Sequence, residues 1–124
     1  MTDPIPGDAI FQNPGGVFSA GNPAFIITAI SSGTAHTLHT AVTGTDDLDL
    51  VTVWVYNTTS TNYTLTVEVG GVQMGPITVM RNALPAIIFA RMPMNNGTTL
   101  KAYADTTAVL GVCISTTRVV NQAQ

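Results

Sequence analysis

The sequence predicts an all-β domain, a single antiparallel two-sheet β-sandwich with jelly-roll-like connectivity and an extended N-terminal arm. Three observations point there. From Pro23 onward, short runs rich in β-branched residues are separated by Gly, Asn, Asp and Ser clusters, the pattern of strands and turns. No window carries apolar residues at i, i+3, i+4 and i+7, so no helix is expected. With 124 residues, 45% of them hydrophobic, the chain has the size and the core material of one domain. Short strands in a chain of this length fit a two-sheet sandwich, with an immunoglobulin-like strand order as the alternative to the jelly roll.

Residues 1–22 read as the arm. They hold Pro4, Pro6 and Pro14 with Gly7, Gly15, Gly16 and Gly21, and neither a 3.6 nor a 2 period. The isolated apolar residues Ile5, Ile10, Phe11, Val17 and Phe18 are poor choices for a solvated linker, so they are the candidate partner-binding residues, burying on this domain or on a neighbour.

Residues 23–124 read as the sandwich, with about eight strands: Phe25–Ile30, Ala35–Val42, Leu48–Asn57, Tyr63–Val69, Pro76–Arg81, Ala86–Met92, Thr99–Asp105 and Val109–Thr117. In Tyr63–Val69, Tyr63, Leu65, Val67 and Val69 alternate with Thr64, Thr66 and Glu68, the signature of a half-buried antiparallel strand. Leu48–Asn57 is apolar on both faces, Leu50, Trp54 and Tyr56 on one and Val51, Val53 and Val55 on the other, so it should be central and covered on both sides. The expected core is Leu50, Trp54, Tyr56, Leu65, Val67, Ile88 and Leu110, which makes Trp54→Ala severe. Gly70-Gly71 and Asn96-Gly97 tolerate the positive φ of tight hairpins.

Charge excludes several functions. Only 9% of residues are charged, 4 basic and 7 acidic, for a net charge of -3, where about thirty charged residues would be usual. A basic nucleic-acid binder is excluded, as is a disordered chain. The longest apolar runs are far shorter than the roughly 18 residues of a membrane helix, and the N-terminus lacks the basic and apolar regions of a secretory signal, so synthesis in a cytoplasm is expected.

No catalytic, cofactor or metal site is expected. His36 and His39 are three apart on a strand and should face opposite sides, which prevents them from sharing an ion. Asp46-Asp47-Leu48-Asp49 clusters carboxylates without the glycine and bidentate glutamate of a calcium loop, so it reads as a solvated turn or salt-bridged rim. Ser31, Ser32 and Cys113 lack a nucleophile setting, and Cys113 reads as a packed thiol. Asn13-Pro14-Gly15-Gly16 lacks the lysine and helix of a phosphate loop. Asn57-Thr58-Thr59, Asn62-Tyr63-Thr64 and Asn96-Gly97-Thr98 match the glycosylation pattern but read as turns. An enzyme is therefore not expected. Monomeric sheets blunt their edges with charge, and Lys101 is the one lysine, so edges and faces are expected to be covered by other copies, or by the arm.

Gly44-Thr45-Asp46-Asp47-Leu48-Asp49, Val53-Trp54-Val55-Tyr56-Asn57-Thr58-Thr59 and Leu65-Thr66-Val67-Glu68-Val69-Gly70-Gly71 resemble a pattern of small virion structural proteins of tailed bacteriophages. Ala102-Tyr103-Ala104-Asp105 followed by Val109-Leu110-Gly111-Val112 is similar to the last hairpin of those β-sandwich subunits. The resemblance spans about two-thirds of the chain and leaves the arm out. It implies a protein without an active site, a cement or decoration subunit on the outside of a capsid. Such a subunit is commonly a homotrimer, with itself and the major capsid protein as partners. A phage tail or fibre subunit is the alternative within that class. A carbohydrate-binding module is the alternative outside it, with Trp54, Tyr56, Tyr63 and Tyr103 as available aromatics.

Overall fold

A computed structural model describes residues 9–12 and 24–121. The described residues form nine strands: β1 (Ala9–Gln12), β2 (Ala24–Ile27), β3 (His36–Thr40), β4 (Leu48–Asn57), β5 (Tyr63–Val69), β6 (Val72–Val79), β7 (Ala83–Met94), β8 (Thr99–Ala104) and β9 (Leu110–Asn121). A short 3-10 turn covers Ser32–Thr34.

The pairing has one rule. β5 pairs with β6, β4 with β7, β3 with β8 and β2 with β9, all antiparallel, as in one long hairpin whose tip is the β5–β6 turn. That tip is Gly70-Gly71, with φ of 58° and 83°, the left-handed pair that a two-residue hairpin requires. Rolling the hairpin then sets β4 beside β9 and β5 beside β8. The result is two sheets, β2–β9–β4–β7 and β3–β8–β5–β6, which is jelly-roll connectivity.

The ladder continues around the corners. Ala108 donates its amide to Ile27 O at 2.9 Å, Gly97 to Val42 O at 3.0 Å and Asn82 to Thr59 O at 2.9 Å. Asn96-Gly97 adopts positive φ, 56° and 71°, but it joins β7 to β8 across the two sheets and does not close a hairpin. β1, inside the stretch read as an arm, pairs with β9 from Ala9↔Asn121 to Gln12↔Arg118. It lies along the same edge of β9 as β2, so the first sheet is four strand positions wide. Ile5, Val17 and Phe18 lie outside the described residues. Ile10 and Phe11 are on β1.

The core lies between the sheets. Val51, Val53 and Val55 of β4 and Leu110, Val112 and Ile114 of β9 meet Leu38, Leu65, Val67, Leu100 and Ala102 of the other sheet. The expected core is right for Leu65, Val67 and Leu110, each 0% exposed, and Ile88 packs against it half-buried. Leu50, Trp54 and Tyr56 are a correction. They are half-buried on the outer face of β4, while the valines of the same strand are inside. The physical reason is the layer count, because a two-layer sandwich covers a central strand on one face only.

The edges are protected by means other than charge. Edge strand β7 carries three register shifts against β4, includes Pro85 and Pro93, and has Arg91 at φ 53°. Edge strand β6 holds Pro76. Bulges and prolines both discourage further pairing. Lys101 is on interior strand β8, opposite Glu68.

Candidate functional site

The two outer faces differ sharply. Residues opposite one another in an antiparallel ladder share a face, so the register defines rows. Across β7, β4, β9 and β2 run Ile87–Trp54–Cys113–Ala24 and then Tyr56–Gly111–Ile26; further along β4 come Thr52–Ser115, Pro93–Leu50–Thr117 and Leu48–Val119. None of these residues carries a charge. Ile26 and Ile87 are 46% and 56% exposed. The outer face of the other sheet is polar instead, with Thr66 opposite Tyr103 and Glu68 opposite Lys101. Glu68 there accepts hydrogen bonds from Ser32 Oγ and from Gln73 Nε2.

Gly111 shapes the apolar face. A Cβ at that position would lie 2.0 Å from Tyr56 Cζ, so the Tyr56 ring rests on the glycine backbone of the neighbouring strand. Cys113, expected to be packed inside, is half-buried on this outer face opposite Trp54. The inward positions of β9 are Val112 and Ile114.

The carboxylate cluster resolves into a buried ion pair. Asp49 is 0% exposed. Its carboxylate accepts from Arg118 Nε at 2.7 Å and Nη2 at 3.1 Å, from His39 Nε2 at 2.7 Å and from the Val42 amide at 3.1 Å. Burial by itself raises the Asp49 pKa, but the hydrogen bonds and charges of Arg118 and His39 outweigh it and hold the group below its ordinary value. Asp46 is exposed. The salt bridge of the rim reading is present, but Asp49 holds it while fully buried, linking β4 to β9 and, through His39, to β3 of the other sheet.

The histidines correct one expectation. A register shift between Thr37 and His39 places His36 opposite Ala102 and His39 opposite Leu100, so the bulge brings both to the inward side instead of opposite sides. Their partners still separate them. His36 Nε2 accepts from the Thr28 and Ala29 amides, each at 3.1 Å, and its ring meets Phe25 edge-on at 4.5 Å. Among the described residues no group of three His, Cys, Asp or Glu side chains is placed to hold a metal ion. No helix there is long and apolar enough to cross a membrane.

Asn57, read from sequence as a turn residue, ties the β4–β5 turn while 0% exposed. Its Nδ2 donates to Thr61 O at 2.8 Å and Val79 O at 3.1 Å, and its Oδ1 accepts from the Thr59 amide and hydroxyl. Asn62 Oδ1 accepts from the Arg81 amide at 2.8 Å. Comparison of the chain with protein-family models and with curated proteins gave no match.

Proposed function

We propose that the chain is a non-enzymatic structural subunit of a virion, a capsid cement or decoration protein made in the host cytoplasm. On this reading it binds the outer capsid surface, stabilises the head and acts as a homo-oligomer. The observation that carries it is the outer face of the β2–β9–β4–β7 sheet, whose paired rows hold no charge, a surface suited to permanent burial against protein. Jelly-roll connectivity and the resemblance of the strand and turn segments to phage virion proteins support the same reading. A tail or fibre subunit uses the same chemistry at another place in the particle. Trp54 and Tyr56 side by side on an outer face favour a carbohydrate-binding module as the second reading. Their neighbours Ile26, Ile87, Gly111 and Cys113 offer a sugar few hydrogen-bonding side chains, so the virion reading is preferred.

The arm is proposed to contribute through Ile5, Ile10, Phe11, Val17 and Phe18, clasping the capsid or a neighbouring subunit. The test is co-sedimentation of the purified chain with capsids stripped of accessory proteins, for the full chain and for a deletion of residues 2–18. Saturable binding that survives high salt and weakens on deletion is the expected result, because the contacts are apolar. Absence of binding to any capsid, with retention on a glycan surface, overturns the reading.

A further inference from the structure

We propose that the outer face of the β2–β9–β4–β7 sheet is a self-association surface, and that its occupant is a second copy of this chain packed sheet on sheet. This deepens the homo-oligomer part of the function above and does not depend on the capsid part.

The argument starts from β4. A two-layer sandwich requires one apolar face from its central strand, and β4 supplies two. Its valine face is used by the core; its Leu50, Trp54 and Tyr56 face is left over. Exposed Ile26 and Ile87 extend that surface to both edges of the sheet. The outer face of the other sheet carries the charged pair Glu68 and Lys101, whereas the polar residues in the rows here are the uncharged Thr52, Ser115 and Thr117.

Charge selects the occupant. A two-fold contact sets each patch against its own copy, so a patch with a net charge faces a patch of the same sign. The paired rows on this face contain no charge, and the β7 bulge opposite Thr52 adds exposed Arg91 at their edge, so a second copy meets no acidic charge there although the chain carries a net charge of -3. An acidic, basic or nucleic-acid partner would find no opposite charge within these paired rows.

Area is sufficient. Four strand positions at about 4.8 Å each and the length of β4 at about 3.3 Å per residue give a face of about 19 Å by 33 Å. That is about 600 Å² per copy and about 1,200 Å² in total, the lower bound of stable, specific interfaces. The contact is isologous and builds pairs, which separates it from the threefold assembly that the family resemblance implies.

The chain has a single tryptophan, Trp54, and it lies on this face, so it reports the contact directly. Sedimentation velocity and tryptophan emission are measured over one dilution series for the wild type, for the double variant Ile26→Asp/Ile87→Asp and for Val72→Asp. Val72 is 66% exposed on β6, away from the face. The wild type is expected at twice 12.9 kDa, dissociating on dilution as the emission shifts to the red. The double variant is expected at 12.9 kDa throughout with unchanged circular dichroism, and Val72→Asp is expected to pair as the wild type does. A wild type that stays monomeric to its solubility limit, a trimeric mass, or a double variant that still pairs overturns the proposal. So does Trp54 emission that is blue at a monomeric mass, because the chain then covers the face itself. A monomeric double variant that still decorates stripped capsids leaves the capsid reading standing by itself, and a wild-type dimer that decorates none leaves only the pairing.

Discussion

Replacing Asp49 by alanine removes the acceptor of three partners at once, the Val42 amide, His39 Nε2 and the Arg118 guanidinium. The three are not equal. The Arg118 side chain is 27% exposed and turns to water at little cost, whereas that of His39 is 4% exposed. His39 Nδ1 already has no hydrogen-bond partner among the described residues, so alanine at 49 leaves the imidazole with no acceptor at either nitrogen. Each buried polar group stranded in this way costs about 1–3 kcal/mol. The imidazole and the Val42 amide together therefore cost about 2–6 kcal/mol, out of roughly 5–15 kcal/mol for a whole domain. With an m-value of about 2 kcal/mol/M, the urea midpoint falls by about 1–3 M. Asp49→Asn keeps an acceptor oxygen and removes only the charge, so it should fall between wild type and Asp49→Ala. The assay is equilibrium urea unfolding followed by circular dichroism at one protein concentration, since association would shift the midpoint by mass action. A fall of less than about 0.5 M for Asp49→Ala, or identical midpoints for the two variants, would refute the reasoning.

The same carboxylate sets an acid limit. Its folded-state pKa lies below the ordinary 3.8, so its stabilisation is fully present above the unfolded value and is lost as pH falls through the folded one; the wild type should lose stability below about pH 4 more steeply than Asp49→Asn, read as melting temperature against pH. Leu65→Ala should cost about 2–5 kcal/mol in urea unfolding because Leu65 is fully buried. Trp54→Ala, on the half-covered outer face, should cost less than Leu65→Ala, and the reverse order would return Trp54 to the core. Asn57→Ala removes both donors and the acceptor of the β4–β5 turn and should destabilise by about 2–4 kcal/mol, with faster amide exchange at Thr59 as a local readout. Gly111→Ala should displace the Tyr56 ring while the fold persists, visible as a changed near-ultraviolet circular dichroism spectrum with an unchanged far-ultraviolet one.

Periodicity was informative wherever it was local. Leu48–Asn57 and Tyr63–Val69 are the strands read from sequence, to the residue, because alternation and turn residues bound them on both sides. β6 starts earlier than read, at Val72, because Gly75-Pro76 looks like a breaker in sequence but is tolerated on an edge. β7 extends over Pro85 and Pro93 for the same reason. The faces of β4 were separable by period, yet which face is inside depends on the number of layers, a tertiary fact. The same holds for the buried ion pair. Asp49 stood out in its acidic run, but its partner Arg118 is 69 residues away, and only the rolled topology brings β4 against β9. The bulge that turns His39 inward has no marker in His36-Thr37-Leu38-His39.

The rolled hairpin also sets an order of events for a chain leaving the ribosome. β5 and β6 are adjacent in sequence and pair as soon as both are made. β4 finds β7 later, but its other neighbour is β9, the ninth of the described strands in chain order, which among the described residues is also the strand that β1 and β2 pair with. Until β9 is made, β4 has only β7 beside it, and β1 and β2 lack the strand they pair with. Non-local closure of this kind slows folding and lengthens exposure to aggregation. A chain truncated before Leu110 should accordingly remain a protease-sensitive, self-adhering intermediate.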